Sequence, residues 1–217
     1  MTFKKILIYL ALVLPLCLSA QNYADYKLYV SYDFEQGVID RQANTSLELK
    51  NGARIVEDAV RGKVLYFSGD KRQHAVMVPA PVMGDTMSLS FWYKRSSRDD
   101  SKVSWKQIFE FYNSVDGSNI YFMPVYGFDD SLSGVVCDAR TFNSGVWEPL
   151  YGPCIDANDA WHHVVLVVHE TSWSYYLDGE KVGTKNIFVS LSLMNLTHLF
   201  FGMNPNRGSP SVDWFDR

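Results

Sequence analysis

The pattern of apolar and polar positions is clearest in the stretch Trp161–Gly183, which predicts two strands and a tight turn. Trp161–Glu170 is rich in valine and largely apolar on both faces, which favours a strand covered on two sides over a helix. Ser172–Val182 follows and contains Asp178-Gly179, a pair in which both residues accept positive φ. We therefore expect a β-hairpin that turns at this pair.

Short apolar runs separated by turn residues recur along the rest of the chain. The further runs that predict strands are Tyr29–Phe34, Leu47–Val56, Val64–Phe67, Ala75–Val78, Ser88–Lys94, Gln107–Tyr112, Asn119–Tyr126, Gly134–Arg140, Trp147–Tyr151 and Leu199–Met203. One short helical turn is expected at Leu191–Leu196, and no helical period is sustained. The pattern predicts an all-β protein built from two packed antiparallel sheets, a β-sandwich.

Several motifs on these runs resemble the laminin G-like, concanavalin A-like lectin/glucanase family in its secreted bacterial form. They are Leu89–Lys94, Trp161–Val165, Tyr176–Gly179 and Phe201–Asn204, with Tyr32–Glu35 and Gly62–Gly69 upstream. The resemblance covers nearly all of the chain from Asp33 onward, and it implies a jelly-roll sandwich. It implies function only as a class, because this fold hosts both binding modules and glycosidases.

The resemblance also implies features at the two ends of the domain. Relatives often hold a calcium ion with a loop carboxylate and backbone carbonyls, and Asp40 falls where that aspartate lies. The alternative is an ordinary turn aspartate. Relatives close with a further strand that this chain lacks after Phe201–Asn204, which indicates a truncated product unless Val212–Phe215 serves as the last strand.

The amino terminus predicts export. Lys4 and Lys5 precede an apolar run that ends at Ser19-Ala20, the pattern of a signal peptide cleaved after Ala20. An uncleaved anchor, or a lipoprotein modified at Cys17, is the alternative. We divide the chain into a signal peptide (1–20), a lead-in with the first strand (21–32) and a laminin G-like domain (33–217), and we expect a secreted, periplasmic or cell-surface bacterial protein.

Composition narrows the possible partners. The net charge is −4, which provides no basic patch for nucleic acid or an anionic membrane surface. Hydrophobic residues make up 47% and aromatic residues 15% of the chain, enough for a core and for sugar-binding surfaces. After the signal, no apolar run is long enough to span a membrane.

Two cysteines, Cys137 and Cys154, remain after signal removal, and in an exported protein they predict a disulfide. Such a bridge would close a loop of about 18 residues and stabilise the fold by about 3 kcal/mol. The alternative is two reduced, buried cysteines.

Catalytic motifs are weak. Glycosidases of this fold carry two or three acids alternating along one strand, whereas Glu110 stands alone between two phenylalanines and is interpreted as a solvated acid. His162 and His163 point to opposite faces of a strand and cannot chelate one ion together, so we expect His163 to be a hydrogen-bonded core histidine. We therefore expect a protein that is not an enzyme.

Aromatic side chains offer the best candidate ligand site. Trp147 and Tyr151 flank the predicted disulfide loop near Asp138 and Arg140, a grouping that suits stacking of a sugar ring with polar groups for its hydroxyls. Other candidates for exposure are Trp105, Tyr126, Trp173 and Trp214, whereas Trp92 and Trp161 are expected in the core.

The sequence therefore predicts a secreted, non-catalytic binding domain whose most plausible ligand is a glycan. A protein-binding adhesive or structural module, with a cell-surface or extracellular protein as its partner, is the alternative. A glycoside hydrolase-related domain is the third possibility.

Overall fold

The computed structural model describes residues 30–41, 45–68, 72–82, 84–95, 107–124, 132–139, 146–153, 155, 158–170, 172–186 and 190–202. These residues form thirteen strands and one 3₁₀ helix, Leu191–Met194. The strands are β1 (Glu48–Lys50), β2 (Arg54–Asp58), β3 (Gly62–Tyr66), β4 (His74–Met77), β5 (Thr86–Lys94), β6 (Phe109–Tyr112), β7 (Asn119–Met123), β8 (Leu132–Ala139), β9 (Val146–Pro153), β10 (Trp161–His169), β11 (Ser172–Leu177), β12 (Glu180–Asn186) and β13 (His198–Phe201).

Two sheets face each other across the core. The larger has seven described strands in the order β1-β4-β13-β6-β7-β8-β9, and the smaller has four in the order β12-β11-β10-β5. Strands β2 and β3 form a separate hairpin. Neighbouring strands in both sheets pair antiparallel. The predicted antiparallel β-sandwich of the jelly-roll type is confirmed.

Alternation along each strand decides what enters the core. On β10, Val164, Leu166 and Val168 are at most 2% exposed, and Trp173 and Tyr175 on β11 face the same interior at 0%. The residues between them point to the outer face of the small sheet and are partly exposed or exposed. The expectation that β10 is covered on both faces is therefore wrong for the part of the chain that the structure describes, because the outward residues of this strand are partly exposed or exposed.

The predicted hairpin at Asp178-Gly179 is confirmed. Both residues have positive φ, 52° and 87°, and they join β11 to β12. The Asp178 backbone N–H also donates to the carbonyl of His163, 2.8 Å away, which ties the turn to the start of β10. A residue pair recognised in the sequence thus fixes the position of the hairpin in the small sheet.

The amino-terminal part differs from expectation. Residues 30–34 form no strand, although a first strand was predicted there, and the rings of Tyr32 and Phe34 stack on each other at 5.7 Å. The run Leu47–Val56 is broken by a turn at Asn51-Gly52, where both φ values are positive. Because of this turn, β1 pairs with β4 and β2 pairs with β3 instead of forming one strand.

Both ends of the chain lie outside the described residues. The signal peptide, the lead-in up to residue 29 and the predicted absence of a last strand after residue 202 therefore stay predictions. Among the described helices, none is long and apolar enough to cross a bilayer.

Candidate functional site

Strand β9 presents two exposed aromatic side chains on the outer face of the large sheet. Leu150 and Gly152 face the small sheet: Leu150 is 8% exposed, and a Cβ on Gly152 would lie 2.6 Å from Cε1 of Tyr175. Trp147 and Tyr151 alternate with them, point outward and are 48% and 37% exposed. At strand rise their Cα atoms are about 13 Å apart, a span that a short oligosaccharide can cover.

The other two residues of the predicted rim are placed less completely. Asp138 lies directly opposite Trp147 in the ladder between β8 and β9. Directly opposed positions bring Cβ atoms to about 5 Å. Arg140 lies outside the described residues. The register thus brings Trp147, Tyr151 and Asp138 to one part of the edge of the large sheet, which is also where β9 leaves that sheet open among the described strands.

A line of polar and aromatic residues continues inward from Asp138 across the outer face. Asn119 is opposite Asp138, Tyr112 is opposite Asn119, and His198 is opposite Tyr112. Asn119 is 3% exposed, and its Oδ1 atom accepts no hydrogen bond from the residues that the structure describes. Leaving a buried amide oxygen without a donor costs about 1–3 kcal/mol, so a hydrogen bond from water or from a ligand would stabilise this atom.

Glu110 is a buried acid whose burial the sequence analysis missed. It lies on β6 opposite Tyr121 and is 0% exposed, so the interpretation as a solvated acid is wrong. The flanking Phe109 and Phe111 belong to the core, which places Glu110 on the outer face by alternation. Glu110, Tyr121 and Met123 are nevertheless buried, which shows that the centre of this face is covered.

Three tryptophans test the predicted exposure of aromatic side chains. Trp173 was expected on the surface and is 0% exposed in the core, whereas Trp92 was expected in the core and is 47% exposed. Trp161 is partly buried. The position of neighbouring serines distinguishes Trp92 from Trp173. Ser90, two positions from Trp92, shares its face of the strand, whereas Ser172 and Ser174, one position on either side of Trp173, lie on the opposite face. Trp105, Tyr126 and Trp214 lie outside the described residues.

The two adjacent histidines have different partners because they lie on opposite faces of β10, as predicted. His162 Nδ1 is 2.7 Å from Asp178 Oδ2, and His163 Nε2 is 2.8 Å from Ser90 Oγ on the outer face. His163 is hydrogen-bonded as expected, but it is not a core residue. Partial burial alone would raise the pKa of Asp178, but hydrogen bonds from His162 and from the His163 backbone N–H lower it.

Asp40, the predicted calcium ligand, is 2% exposed and organises its own loop. Its Oδ2 atom accepts hydrogen bonds from both the backbone N–H and the hydroxyl of Thr45, each at 2.7 Å. Among the described residues, no three acidic, histidine or cysteine side chains are grouped closely enough to hold a metal. The calcium site at Asp40 stays a prediction.

The predicted disulfide would join Cys137 on β8 to Cys154, the residue that follows β9 in the chain. Cys137 lies opposite Glu148, while Pro153, the residue before Cys154, lies opposite Leu132. Cys154 itself lies outside the described residues, so the bridge remains a prediction.

On the other side of the sandwich, Asp58 connects the β2–β3 hairpin to the small sheet. Its carboxylate pairs with Lys94 Nζ and accepts hydrogen bonds from Trp161 Nε1 and from the backbone N–H groups of Val60 and Arg61. Burial alone would raise the pKa of Asp58, but these four donors outweigh it and lower the pKa to about 2. Asp58 is therefore a charged anchor for the tip of the hairpin.

This anchor predicts a loss of stability in acid. The unfolded chain protonates Asp58 near its ordinary pKa of 3.8 and the folded chain only near 2, so the stabilisation is complete above pH 4 and is lost as the pH falls to 2. We expect Asp58→Asn to cost about 1–2 kcal/mol at neutral pH and little at pH 2. Urea unfolding of both proteins between pH 2 and 6 measures the difference. An equal cost at every pH would contradict the role of the charge.

Solved structures with similar folds were found at low sequence identity. Domain 4 of AbnA, a GH43 extracellular arabinanase from Geobacillus stearothermophilus solved with arabinotriose, is 16% identical, with a TM-score of 0.63 over 81% of this chain and 82% of that chain. The binding domain of botulinum neurotoxin serotype D is 11% identical, with a TM-score of 0.60 over 83% of this chain and 44% of that one.

A third structure is that of botulinum neurotoxin type C, whose cell entry is dependent upon interaction with two ganglioside molecules. It is 14% identical, with a TM-score of 0.59 over 87% of this chain and 46% of that one. This chain thus spans less than half of either toxin chain. At these identities the likeness establishes the fold.

A search of curated proteins returns no match to this sequence. The sequence model of one family does match, over residues 69–214, which is more than half of the chain. This span includes the strand motifs Leu89–Lys94, Trp161–Val165 and Tyr176–Gly179 that carried the resemblance, and the sandwich seen in the structure is the fold that the family implies. The chain belongs to the laminin G branch of the concanavalin A-like lectin/glucanases superfamily.

Proposed function

We propose that this protein is a non-catalytic carbohydrate-binding domain that acts outside the cytoplasm. The observation that carries the proposal is the pair Trp147 and Tyr151, exposed on one face of edge strand β9 with Asp138 at the adjoining ladder position. Aromatic faces pack against the C–H faces of sugar rings, and a carboxylate accepts hydrogen bonds from their hydroxyls. The edge of the sheet gives an extended ligand access to both rings.

The similar structures support the same class of ligand. The arabinanase domain was solved with arabinotriose, and the type C neurotoxin depends on two ganglioside molecules. The extracellular location proposed here agrees with the amino-terminal signal pattern. The calcium ion proposed at Asp40 would strengthen the loop between Ile39 and Ser46, which form an isolated bridge, and would act through the conformation of that loop.

The first experiment is a glycan-array screen of the secreted chain, with calcium in one arm and a chelator in the other. We expect binding to one class of glycan in the calcium arm. Loss of binding in the chelator arm would also support the metal at Asp40. Silence in both arms, from a sample with a cooperative thermal transition, would overturn the proposal and favour the protein-binding module.

The site itself is tested by substitution. We expect Trp147→Ala to weaken binding of the glycan found on the array by about tenfold or more, since buried aromatic anchors dominate binding energy. Tyr151→Ala should act in the same direction. Tyr176→Ala is the matched control, because Tyr176 lies on the outer face of the small sheet, away from β9. Isothermal titration calorimetry measures all three, and unchanged affinity in Trp147→Ala would exclude this edge as the site.

A further inference from the structure

A second cluster lies on the outer face of the small sheet, under the tip of the β2–β3 hairpin. The Arg61 guanidinium carbon is 3.6 Å from the ring centroid of Trp92 and 5.9 Å from that of Trp161. The imidazole of His163 stacks on Trp92 at 4.7 Å with an angle of 17° between the rings. Trp92 is thus in contact with both a guanidinium and a second aromatic ring.

The charge of Arg61 is not neutralised by the fold. Among the described residues, its guanidinium contacts the two indoles and forms no ion pair. Asp58, the acid of the same hairpin turn, already accepts from Lys94, Trp161 and two backbone N–H groups, including that of Arg61 itself. The side chain is partly buried and held in place, yet no carboxylate of the described part of the chain accepts from its guanidinium.

Around this guanidinium the surface offers further contacts for a polar ligand. Trp92 remains 47% exposed beside these two contacts, so a ligand can reach part of its side chain. Ser88 and Ser90 precede Trp92 at alternate positions of β5, and all three residues are exposed on the same outer face. A line of hydroxyl groups therefore leads away from the Arg61–Trp92 pair along the edge of the sheet.

We propose that this cluster, the Arg61 site, binds an acidic saccharide. Arg61 pairs with an anionic oxygen group on the sugar, a carboxylate or a sulfate, while the exposed part of Trp92 and the serine hydroxyls contact the ring that bears it. A guanidinium suits this role because its planar fork of N–H donors forms two parallel hydrogen bonds with such groups. Its contact with the indole holds the fork in place before the ligand arrives, which reduces the entropy lost on binding.

The Arg61 site is separate from the site of the proposed function. Trp147 and Tyr151 lie on the outer face of the large sheet, whereas Trp92 lies on the outer face of the small sheet, across the core. Either proposal therefore stands if the other fails. A chain with both sites would bind a neutral stretch of glycan on one side and an acidic sugar on the other.

The test is a titration of the whole secreted chain with three disaccharides of the same linkage: one neutral, one with a uronic acid and one with a sulfate. Calorimetry gives the affinity, and a change in tryptophan fluorescence that persists in Trp147→Ala reports binding away from the site of the proposed function. We expect one or both acidic probes to bind and the neutral probe not to bind at this site. Comparison of the two acidic arms distinguishes carboxylate from sulfate as the recognised group. Affinity should fall as salt is raised, since an exposed charge pair is screened.

Substitutions assign the binding to Arg61. We expect Arg61→Ala to weaken binding of the acidic probe about tenfold or more, and Arg61→Lys to weaken it less because the charge remains without the fork. Arg54→Ala is the matched control: Arg54 belongs to the same hairpin and lies 4.5 Å over Tyr66, so it removes an equal charge from a similar contact. Trp147→Ala should bind the acidic probe like the natural chain.

Three results would overturn the inference: no binding of either acidic probe by a folded chain, equal loss in Arg54→Ala and Arg61→Ala, or equal binding of acidic and neutral probes by Trp147→Ala, which lacks an aromatic anchor of the other site. If Arg61→Ala lowers the melting temperature, its loss of affinity could reflect instability. The affinity of Arg61→Lys then decides whether Arg61 binds the probe, because this variant retains a cation over the indole. A folded Arg61→Lys with the affinity and salt dependence of the natural chain would show that the two parallel hydrogen bonds of the guanidinium are not used. That result would also reject the site as described.

Discussion

Replacement of Trp173 by alanine is expected to destabilise the fold by about 3–5 kcal/mol, the largest effect of any change considered for this protein. Trp173 is 0% exposed on β11 and faces the interior between the sheets. Truncation removes the whole indole from a close-packed core and leaves a cavity that the surrounding strands fill only partly. We expect the melting temperature to fall by roughly 10 °C. Differential scanning calorimetry, with urea unfolding, measures the loss.

Trp173→Phe is the matched control for this prediction. The buried indole Nε1 of Trp173 has no hydrogen-bond partner among the described residues, so phenylalanine removes an unsatisfied donor while it keeps most of the apolar volume. We expect a much smaller cost than for alanine, since the relief at the donor offsets part of the lost contact. A phenylalanine variant as unstable as the alanine variant would mean that the indole N–H is satisfied in solution.

The second large effect is expected at Gly152 on β9. A Cβ at this position would lie 2.5 Å from Cγ1 of Val182 and 2.6 Å from Cε1 of Tyr175, distances that real Cβ atoms do not adopt. Tyr175 has little freedom to move, because it is 0% exposed and its hydroxyl is 3.1 Å from Ser133 Oγ. Gly152→Ala must therefore push β9 away from the small sheet, and we expect a cost of about 2 kcal/mol, measured by urea unfolding.

Gly183→Ala provides the comparison from the opposite side of the same contact. A Cβ there would lie 3.1 Å from Cδ1 of Leu150, the far end of a flexible side chain that rotates away at little cost. We expect a change within about 0.5 kcal/mol, because alanine also removes the entropy penalty of glycine in a strand. If both variants cost the same, the close approach at Gly152 is not what limits the position of β9.

Gly152 also links stability to the proposed site. It lies next to Tyr151 on the same strand, and its lack of a side chain lets β9 approach β12 closely enough for Lys185 to donate to the Pro149 carbonyl at 3.1 Å. This contact fixes the edge strand that carries Trp147 and Tyr151. We therefore expect Gly152→Ala to weaken glycan binding even at temperatures where the domain remains folded.

The strands and turns were predictable because the signals for them are local. The valine-rich run of β10 and the pair Asp178-Gly179 contain in a few residues the preferences that make a strand and a tight turn. The pair Asn51-Gly52 has the residues of a turn, but the sequence did not show that this turn separates two strands of different sheets. That outcome depends on partners distant in sequence.

The exposure of individual aromatic residues was predicted poorly for the same reason. An alternating pattern assigns Trp92 and Trp173 to one of two faces of their strands, but it does not state which face meets the other sheet. The serines on the face of Trp92 were a usable signal, whereas no local signal marks Glu110 as buried on an outer face. Burial there depends on tertiary packing, which the local pattern does not show.

The sequence by itself determined the class of fold, the family and the positions of most strands, because periodicity and turn chemistry act over a few residues. Only the tertiary structure decided which side chains meet. It brought Trp147, Tyr151 and Asp138 to one edge through the pairing of β8 with β9, and it placed Arg61 on Trp92 through the docking of a hairpin on a sheet. Contacts between strands far apart in sequence depend on register and on packing of the two sheets, which are properties of the whole folded chain.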